Sequence, residues 1–306
     1  SIHPSIHPSI HPSIHPSNLS QMLSQSIVAT VLVRAGQLLC RTHRISRRTF
    51  SSKSSPTIVA IDGLSATGKS TVARALAHRL NFTYFDTGAM YRALTHQALA
   101  HKIDVESLAT TSTDDSNSRS FASLLDRFEF RIETDPATQE RRYLADGVDV
   151  SEAIRSRVVT NAVSKVSALP QVRQKLKAFQ RSFGATTDCV FEGRDIGTVV
   201  FPNARFKFFL SARADVRAAR RLREMQAKGT SNTATLQEIQ RELEQRDHLD
   251  STRKVAPLAC AADAIVVDTS DKTIDEVVSE MADRVLGSSS ASSDRNRASF
   301  KGSSGT

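Results

Sequence analysis

A short β-branched run, Thr57-Ile-Val-Ala-Ile61, passes through Asp62 into Gly63-Leu64-Ser65-Ala66-Thr67-Gly68-Lys69-Ser70. This is G-x-x-x-x-G-K-S, a phosphate-binding loop, in the context it requires. A buried-strand candidate precedes it, and an amphipathic helix follows over Thr71–Leu80, with Val72, Leu76 and Leu80 on one side. Phosphate oxygens need several converging N–H donors. Glycines let the backbone turn and come close, and a helix N-terminus adds partial positive charge. On this pattern Lys69 reaches the β- and γ-phosphates of a nucleotide and the Ser70 hydroxyl ligates Mg²⁺. Thr71 offers a second hydroxyl beside it. A chance Gly-rich turn would not need the flanking strand and helix.

Such a loop specifies a nucleotide, not a reaction. The chain has no N-K-x-D guanine-reading motif and no D-x-x-G switch, which argues against a GTPase. Ala264-Ile-Val-Val-Asp268 ends in an acid but lies far downstream, and is read as a last core strand. With 306 residues, 39% apolar and 24% charged, the chain is neither wholly disordered, collagen-like nor an integral membrane protein. Three cysteines, Cys40, Cys189 and Cys260, cannot make a disulfide framework, so a reducing compartment is expected. The latter two read as structural thiols. His78, His96, His101 and His248 have no metal-ligand spacing and read as surface residues.

The net charge of +9 is uneven. Residues 1–61 hold no acid, and residues 1–50 hold Arg34, Arg41, Arg44, Arg47 and Arg48. Without those five, 36 basic residues face 32 acidic ones, a net of +4, so the global charge is a weak argument for nucleic-acid binding. Residues 1–21 are low-complexity, opening with four Ser-Ile-His-Pro repeats whose prolines forbid helix. Ser1 cannot initiate, which makes Met22 a candidate start. Residues 22–55 are rich in Arg and Ser, free of acids, and carry a helical stretch from about Ser24 to Cys40. This is the composition of an organelle transit peptide, and Arg48-Thr49-Phe50 resembles a mitochondrial processing site. The expected location is therefore an organelle, the mitochondrion before the plastid, or the cytoplasm if this segment is not an import signal. A basic arm touching RNA or lipid is the alternative. No apolar stretch is long enough to span a bilayer. Residues 288–306 read as a disordered Ser-rich tail, leaving a folded part over residues 56–287.

Further motifs follow in order: Asp86-Thr-Gly-Ala-Met-Tyr-Arg92, Asn161-Ala-Val-Ser164, Pro170-Gln-Val-Arg173, Glu192-Gly-Arg-Asp-Ile-Gly-Thr-Val-Val-Phe-Pro202, and Arg246-Asp-His-Leu-Asp250-Ser-Thr-Arg253 running on to Ala256-Pro-Leu258. Together they resemble the bacterial-type cytidylate kinases, a branch of the nucleoside monophosphate kinases, over roughly residues 58–286. The resemblance implies transfer of the γ-phosphoryl group of ATP to CMP or dCMP, with Mg²⁺, by a monomer that binds no nucleic acid stably. It implies that residues 63–71 and Arg220 meet ATP. Arg92 and Arg194 would hold the acceptor phosphate, and Thr87, Arg173, Asp195 and Arg253 would surround the cytosine edge. Ser164, Arg246 and Asp250 would meet the acceptor ribose. Arg217, Arg220 and Arg221 would belong to a lid over residues 213–235, and Lys69, Arg194, Asp195, Arg217, Arg221 and Arg246 would form the catalytic set. The chemistry agrees: fork-shaped arginines suit phosphate, and a carboxylate, a pure acceptor, suits the donating N4 amino group of cytosine.

The implied fold is α/β, a P-loop three-layer sandwich with a parallel sheet, a small antiparallel insert and a short helical lid. The insert falls at residues 102–150. There Thr110–Ser120 reads as a polar loop, Phe128-Glu-Phe-Arg-Ile132 and Arg142-Tyr-Leu-Ala145 alternate with period two, and residues 134–140 and Asp146-Gly147 read as turns. The rivals are a P-loop kinase acting on another monophosphate and an inactive organellar RNA-binding factor.

Overall fold

The computed structural model describes residues 55–109, 115–135, 140–227 and 235–298. The Ser-Ile-His-Pro repeats, the import segment through residue 54, the loop at 110–114, the turn at 136–139, the lid residues 228–234 and the last eight residues of the tail lie outside them.

Period-two side chains and parallel pairing build the centre. The strands are β1 (Ile58–Gly63), β2 (Thr83–Asp86), β6 (Cys189–Glu192), β7 (Phe206–Ser211) and β8 (Ile265–Asp268). They form one parallel sheet in the order β2-β6-β1-β7-β8. Alternation splits β1, β2 and β6 between two cores. Val59, Ile61, Tyr84 and Val190 face α1 (Lys69–Leu80) and α8 (Ile274–Ala298), joining Val72, Leu76, Val277 and Met281. Ala60, Phe85 and Phe191 face α2 (Thr87–Ala100), α4 (Arg157–Ala168) and α5 (Pro170–Gly184), joining Met90, Leu94, Val166 and Leu176. The result is a helix–sheet–helix sandwich. A separate hairpin, α6 (Ala214–Ala227) and α7 (Leu236–Thr252), closes on Ala218, Ile239 and Leu243.

Between α2 and α4 lie α3 (Ser116–Arg127) and an antiparallel sheet of β3 (Phe130–Thr134), β4 (Arg141–Ala145) and β5 (Val148–Asp149). Phe130 pairs with Ala145, and the β4–β5 turn uses Asp146 at φ 50° and Gly147 at φ 82°, the left-handed pair that a tight hairpin needs.

Three expectations are corrected. The polar loop ends early, because Asp115 caps Asn117 N–H at 3.1 Å and Ser116–Ser120 form the exposed to half-buried start of α3, whose Phe121, Leu124 and Leu125 are buried. The strand at 265–268 is an edge, not a core strand: Ile265 and Val266 are 36% and 59% exposed, and only Val267 is covered. The tail does not break at Gly287, since α8 continues to Ala298; one interior glycine costs a helix only about 1 kcal/mol. Cys189 is buried in β6, and burial pushes its thiol up, whereas Cys260 is exposed and belongs to no core. His96 is half-buried on α2, while His78, His101 and His248 are exposed.

Candidate active site

Parallel strands bring their C-terminal ends to one edge, where Asp62-Gly63, Asp86 and Glu192 end β1, β2 and β6. The loop of residues 63–70 leaves β1 there. Gly63 has φ 145°, and a Cβ on it would lie 2.1 Å from Leu210 O on β7. Gly68, at φ 87°, turns the chain into α1. Ala66 also takes the left-handed conformation, at φ 58°. Lys69 is buried and donates to Leu64 O and to Thr67 Oγ1. Thr269 ties the loop to β8 by donating to Thr67 O at 3.0 Å.

Ser70 Oγ donates to Glu192 Oε1 at 2.6 Å, and Tyr84 OH donates to Glu192 Oε2 at 2.6 Å. Burial pushes Glu192 up and Lys69 well down, because each charge lacks water. A hydroxyl and a carboxylate in contact form an all-oxygen donor pair that suits Mg²⁺, which binds through one or two protein oxygens plus phosphates. Among the described residues no cluster of three His, Cys, Asp or Glu could hold a metal. Thr71 is exposed beside Ser70.

Ser65 joins the loop to everything else. Its N–H donates to Asp247 Oδ1 at 2.8 Å, its carbonyl accepts from Arg217 NH1 at 3.2 Å, and its hydroxyl accepts from Arg194 NH2 at 3.2 Å. Arg217 also donates to Asp247. The three arginines of α6 therefore do different things. Arg217 is buried against the loop, Arg220 donates to Thr269 Oγ1 at 2.9 Å, and Arg221 pairs with Glu224 at 3.0 Å.

A second network begins at Arg194, whose Nε donates to Asp250 Oδ2 at 3.1 Å. Asp250 also accepts from Ser164 Oγ at 3.4 Å. Burial pushes the Asp250 carboxyl up, but Arg194, Arg246 and Arg253 overcome this and hold it below the usual range. Arg92 donates to Ile154 O at 3.0 Å and Thr160 Oγ1 at 2.9 Å. Burial, with Arg221 and Arg194 nearby, lowers Arg92 to about 10; burial, with Arg194 and Arg92, lowers Arg246 to about 9. These lowered values mark an excess of buried positive charge, the condition that an anion relieves.

The third network is Arg173–Asp195–Arg253. Asp195 is 4% exposed and accepts from Arg173 NH2 and, at 3.3 Å, from Arg253 NH2. Arg173 also lies over the Tyr91 ring at 5.4 Å. Thr87 is buried and donates to Glu192 O at 2.7 Å, which sets the turn that carries Arg194 and Asp195.

Ser65, Ser164, Arg173, Arg194, Asp195, Arg217, Asp250 and Arg253 thus lie on three hydrogen-bonded networks, whereas Arg92 donates to Ile154 O and Thr160, and Arg221 pairs with Glu224. Glu192, Asp247, Tyr84 and Asp62 are functional neighbours that sequence reasoning missed. Glu192 and Asp247 stood inside the quoted motifs, and their position at strand end and helix end was the available signal. An open cavity of about 820 Å³ lies between α1 and the small sheet. Arg74, Arg141, Arg142 and Arg155 line it together with Glu140, Asp149 and Glu152, so the arginines there are largely offset by carboxylates.

The comparisons fit this geometry. The model of the cytidylate kinase family matches residues 59–286. The chain belongs to the cytidylate kinase family. A cytidylate kinase from Protochlamydia amoebophila is 48% identical over 223 residues, covering 72% of this chain and 92% of that protein. The cytidylate kinase of Carboxydothermus hydrogenoformans is 45% identical, covering 73% and 94%, and that of Enterococcus faecalis is 44% identical, covering 72% and 91%. The matched part of the kinase runs from β1 to the middle of α8 and holds every network above.

Proposed function

We propose that this kinase transfers the γ-phosphoryl group of ATP to CMP or dCMP, giving ADP and CDP or dCDP, and that Asp195 reads the base. The supporting observation is the Arg173–Asp195–Arg253 cluster, one residue away from Arg194, which reaches both the phosphate loop and Asp250. Arg173 and Arg253 orient Asp195, so that its carboxylate accepts from the cytosine N4 amino group; uracil would present a second acceptor there.

The donor phosphates sit on the loop N–H groups and the N-terminus of α1, with Lys69 on the β- and γ-phosphates. Ser70 and Glu192 would hold Mg²⁺, which when bound neutralises phosphate charge and fixes phosphate geometry. Arg92 and Arg194 would hold the acceptor phosphate, and Ser164, Arg246 and Asp250 would meet its ribose. The acceptor oxygen is already anionic, so no general base is needed. Catalysis is alignment of that oxygen with the γ-phosphorus plus neutralisation of developing charge by fixed cations. The α6–α7 hairpin, carrying Arg217, Arg220 and Arg221, covers the donor side and excludes water. We further propose that residues 22–55 direct import into an organelle. No helix among the described residues is long and apolar enough to cross a membrane.

The test is ADP release with ATP and Mg²⁺, comparing CMP, dCMP, UMP and AMP, for the chain and for Asp195→Asn. Turnover with CMP and dCMP, little with UMP or AMP, and a shift towards UMP in the variant are expected. Equal rates with CMP and UMP in the unsubstituted kinase would remove the role of Asp195.

A further inference from the structure

The turn that carries Arg194 and Asp195 leads into one π-helical turn, Ile196–Val200, in which Val200 N–H donates to Asp195 O at 3.1 Å and Phe201 N–H to Ile196 O at 2.7 Å. Asp195 stands at its N-cap. A carboxylate in that position ordinarily accepts from the first free N–H groups of its own helix. Asp195 does not; its side chain makes no cap hydrogen bond and points instead to Arg173 and Arg253.

The free N–H groups are taken by another residue. Asp62, the penultimate residue of β1, is 4% exposed. Its Oδ1 accepts from Ile196 N–H at 2.9 Å and its Oδ2 from Gly197 N–H at 2.7 Å. Gly193 N–H donates to Ile61 O at 3.0 Å, so the end of β1 grips this turn on both sides of Arg194-Asp195. Asp62 fills both carboxylate oxygens with those two N–H groups, and the sheet register that places β1 beside β6 fixes where they sit.

We infer that Asp62 is a positioning residue for acceptor specificity: it caps the π-turn in place of Asp195, and so frees the Asp195 carboxylate to face the base. Without Asp62 the orphaned N–H groups of Ile196 and Gly197 need a new acceptor, and the nearest carboxylate in sequence is Asp195 itself. Asp195 turned onto its own helix would leave Arg173 and Arg253 without their shared carboxylate and would no longer meet the cytosine amino group. The inference rests on the base-reading role proposed above.

The experiment measures kcat and KM with CMP, UMP and ATP for the full chain, Asp62→Ala, Asp62→Asn and Asp195→Asn. Asp62→Ala is expected to raise KM for CMP and to lower the CMP-over-UMP ratio of kcat/KM by about tenfold, the factor attached to one hydrogen bond of discrimination, with KM for ATP unchanged. Asp62→Asn keeps one acceptor oxygen and should fall between the two. It also serves as the readout if the alanine variant does not fold. A role confined to the phosphate loop, which Asp62 adjoins, would instead raise KM for ATP and leave the base ratio alone. That result, or an unchanged ratio in the asparagine variant while Asp195→Asn lowers it, overturns the inference. If Asp195→Asn leaves the ratio unchanged, the base-reading role itself fails, whatever Asp62 does.

Discussion

Removing Asp247 is the sharpest perturbation of the phosphate loop. Asp247 and Arg217 are 7% and 6% exposed, and the pair encloses Ser65. Asp247→Ala strips the buried guanidinium of its counter-charge, and Arg217 Nε already has no hydrogen-bond partner among the described residues. Breaking one side of a buried ion pair costs about 3–5 kcal/mol. The Ser65 N–H also loses its acceptor, about 1–3 kcal/mol more if taken alone. Both losses fall on neighbouring groups and do not simply add, so the total is on the order of 4 kcal/mol. The chain has no tryptophan, so urea unfolding followed by far-UV circular dichroism is the suitable assay. Asp247→Asn, which keeps an acceptor for Ser65, should lose less. Arg217→Ala in the Asp247→Ala background should cost little further, giving a coupling of about 2–3 kcal/mol in the double-mutant cycle. A loss under about 1 kcal/mol for Asp247→Ala, or additive single losses, would refute the clamp.

Three further outcomes follow from the geometry. Gly63→Ala should cost roughly 3 kcal/mol or more and abolish ATP binding, because its Cβ meets Leu210 O, whereas Gly68→Ala, with open space at its Cβ, should cost about 1 kcal/mol; thermal melts that rank them the other way would contradict this. Burial raises the Asp62 carboxyl from 3.8 to about 6, so the folded chain keeps a proton there that the unfolded chain has released. Its contribution to stability is therefore full below pH 3.8 and lost as the pH rises through 6. Urea melts should show the stability of the unsubstituted chain, relative to Asp62→Asn, falling by roughly 3 kcal/mol between pH 4 and 7, and a flat difference would exclude it. Glu192→Gln should raise the Mg²⁺ concentration needed for half-maximal activity by about tenfold or more, with nucleotide binding in the absence of Mg²⁺ little changed; an unaltered Mg²⁺ titration would remove Glu192 from the metal site.

What the sequence makes legible is what is contiguous. The strand, loop and helix around Lys69 announce themselves because the glycine positions and the apolar periods lie within about two dozen residues. The strands of the small sheet show their alternation in the same way. Residues that act across the chain do not. Asp247 lies in Arg241-Glu-Leu-Glu-Gln-Arg-Asp247, which reads as a solvated helix, yet its carboxylate meets a backbone N–H 182 positions earlier. Asp62 looks like the entry to a turn, and its work is done on Ile196 and Gly197. Ala264-Ile-Val-Val267 reads as core because the run is apolar, but exposure depends on what packs over an edge strand: β2 at the other end of the order buries Tyr84 and Phe85, and local pattern does not encode that difference. The start of α3 was hidden by polar residues that are exposed to half-buried in the helix as they would be in a loop.

The two halves of the site are distributed very differently along the chain. Residues 63–70 form a single uninterrupted octapeptide, although Glu192, Arg217, Asp247 and Thr269, which hold it, lie far along the chain. Arg173, Asp195 and Arg253 come from α5, from the turn after β6 and from the end of α7, and each depends on the other two for its charge balance. A lineage that changed its acceptor would therefore have to alter several distant codons together, passing through forms with an unmatched buried charge. If the cluster reads the base as proposed, acceptor choice in this scaffold is held in place by epistasis.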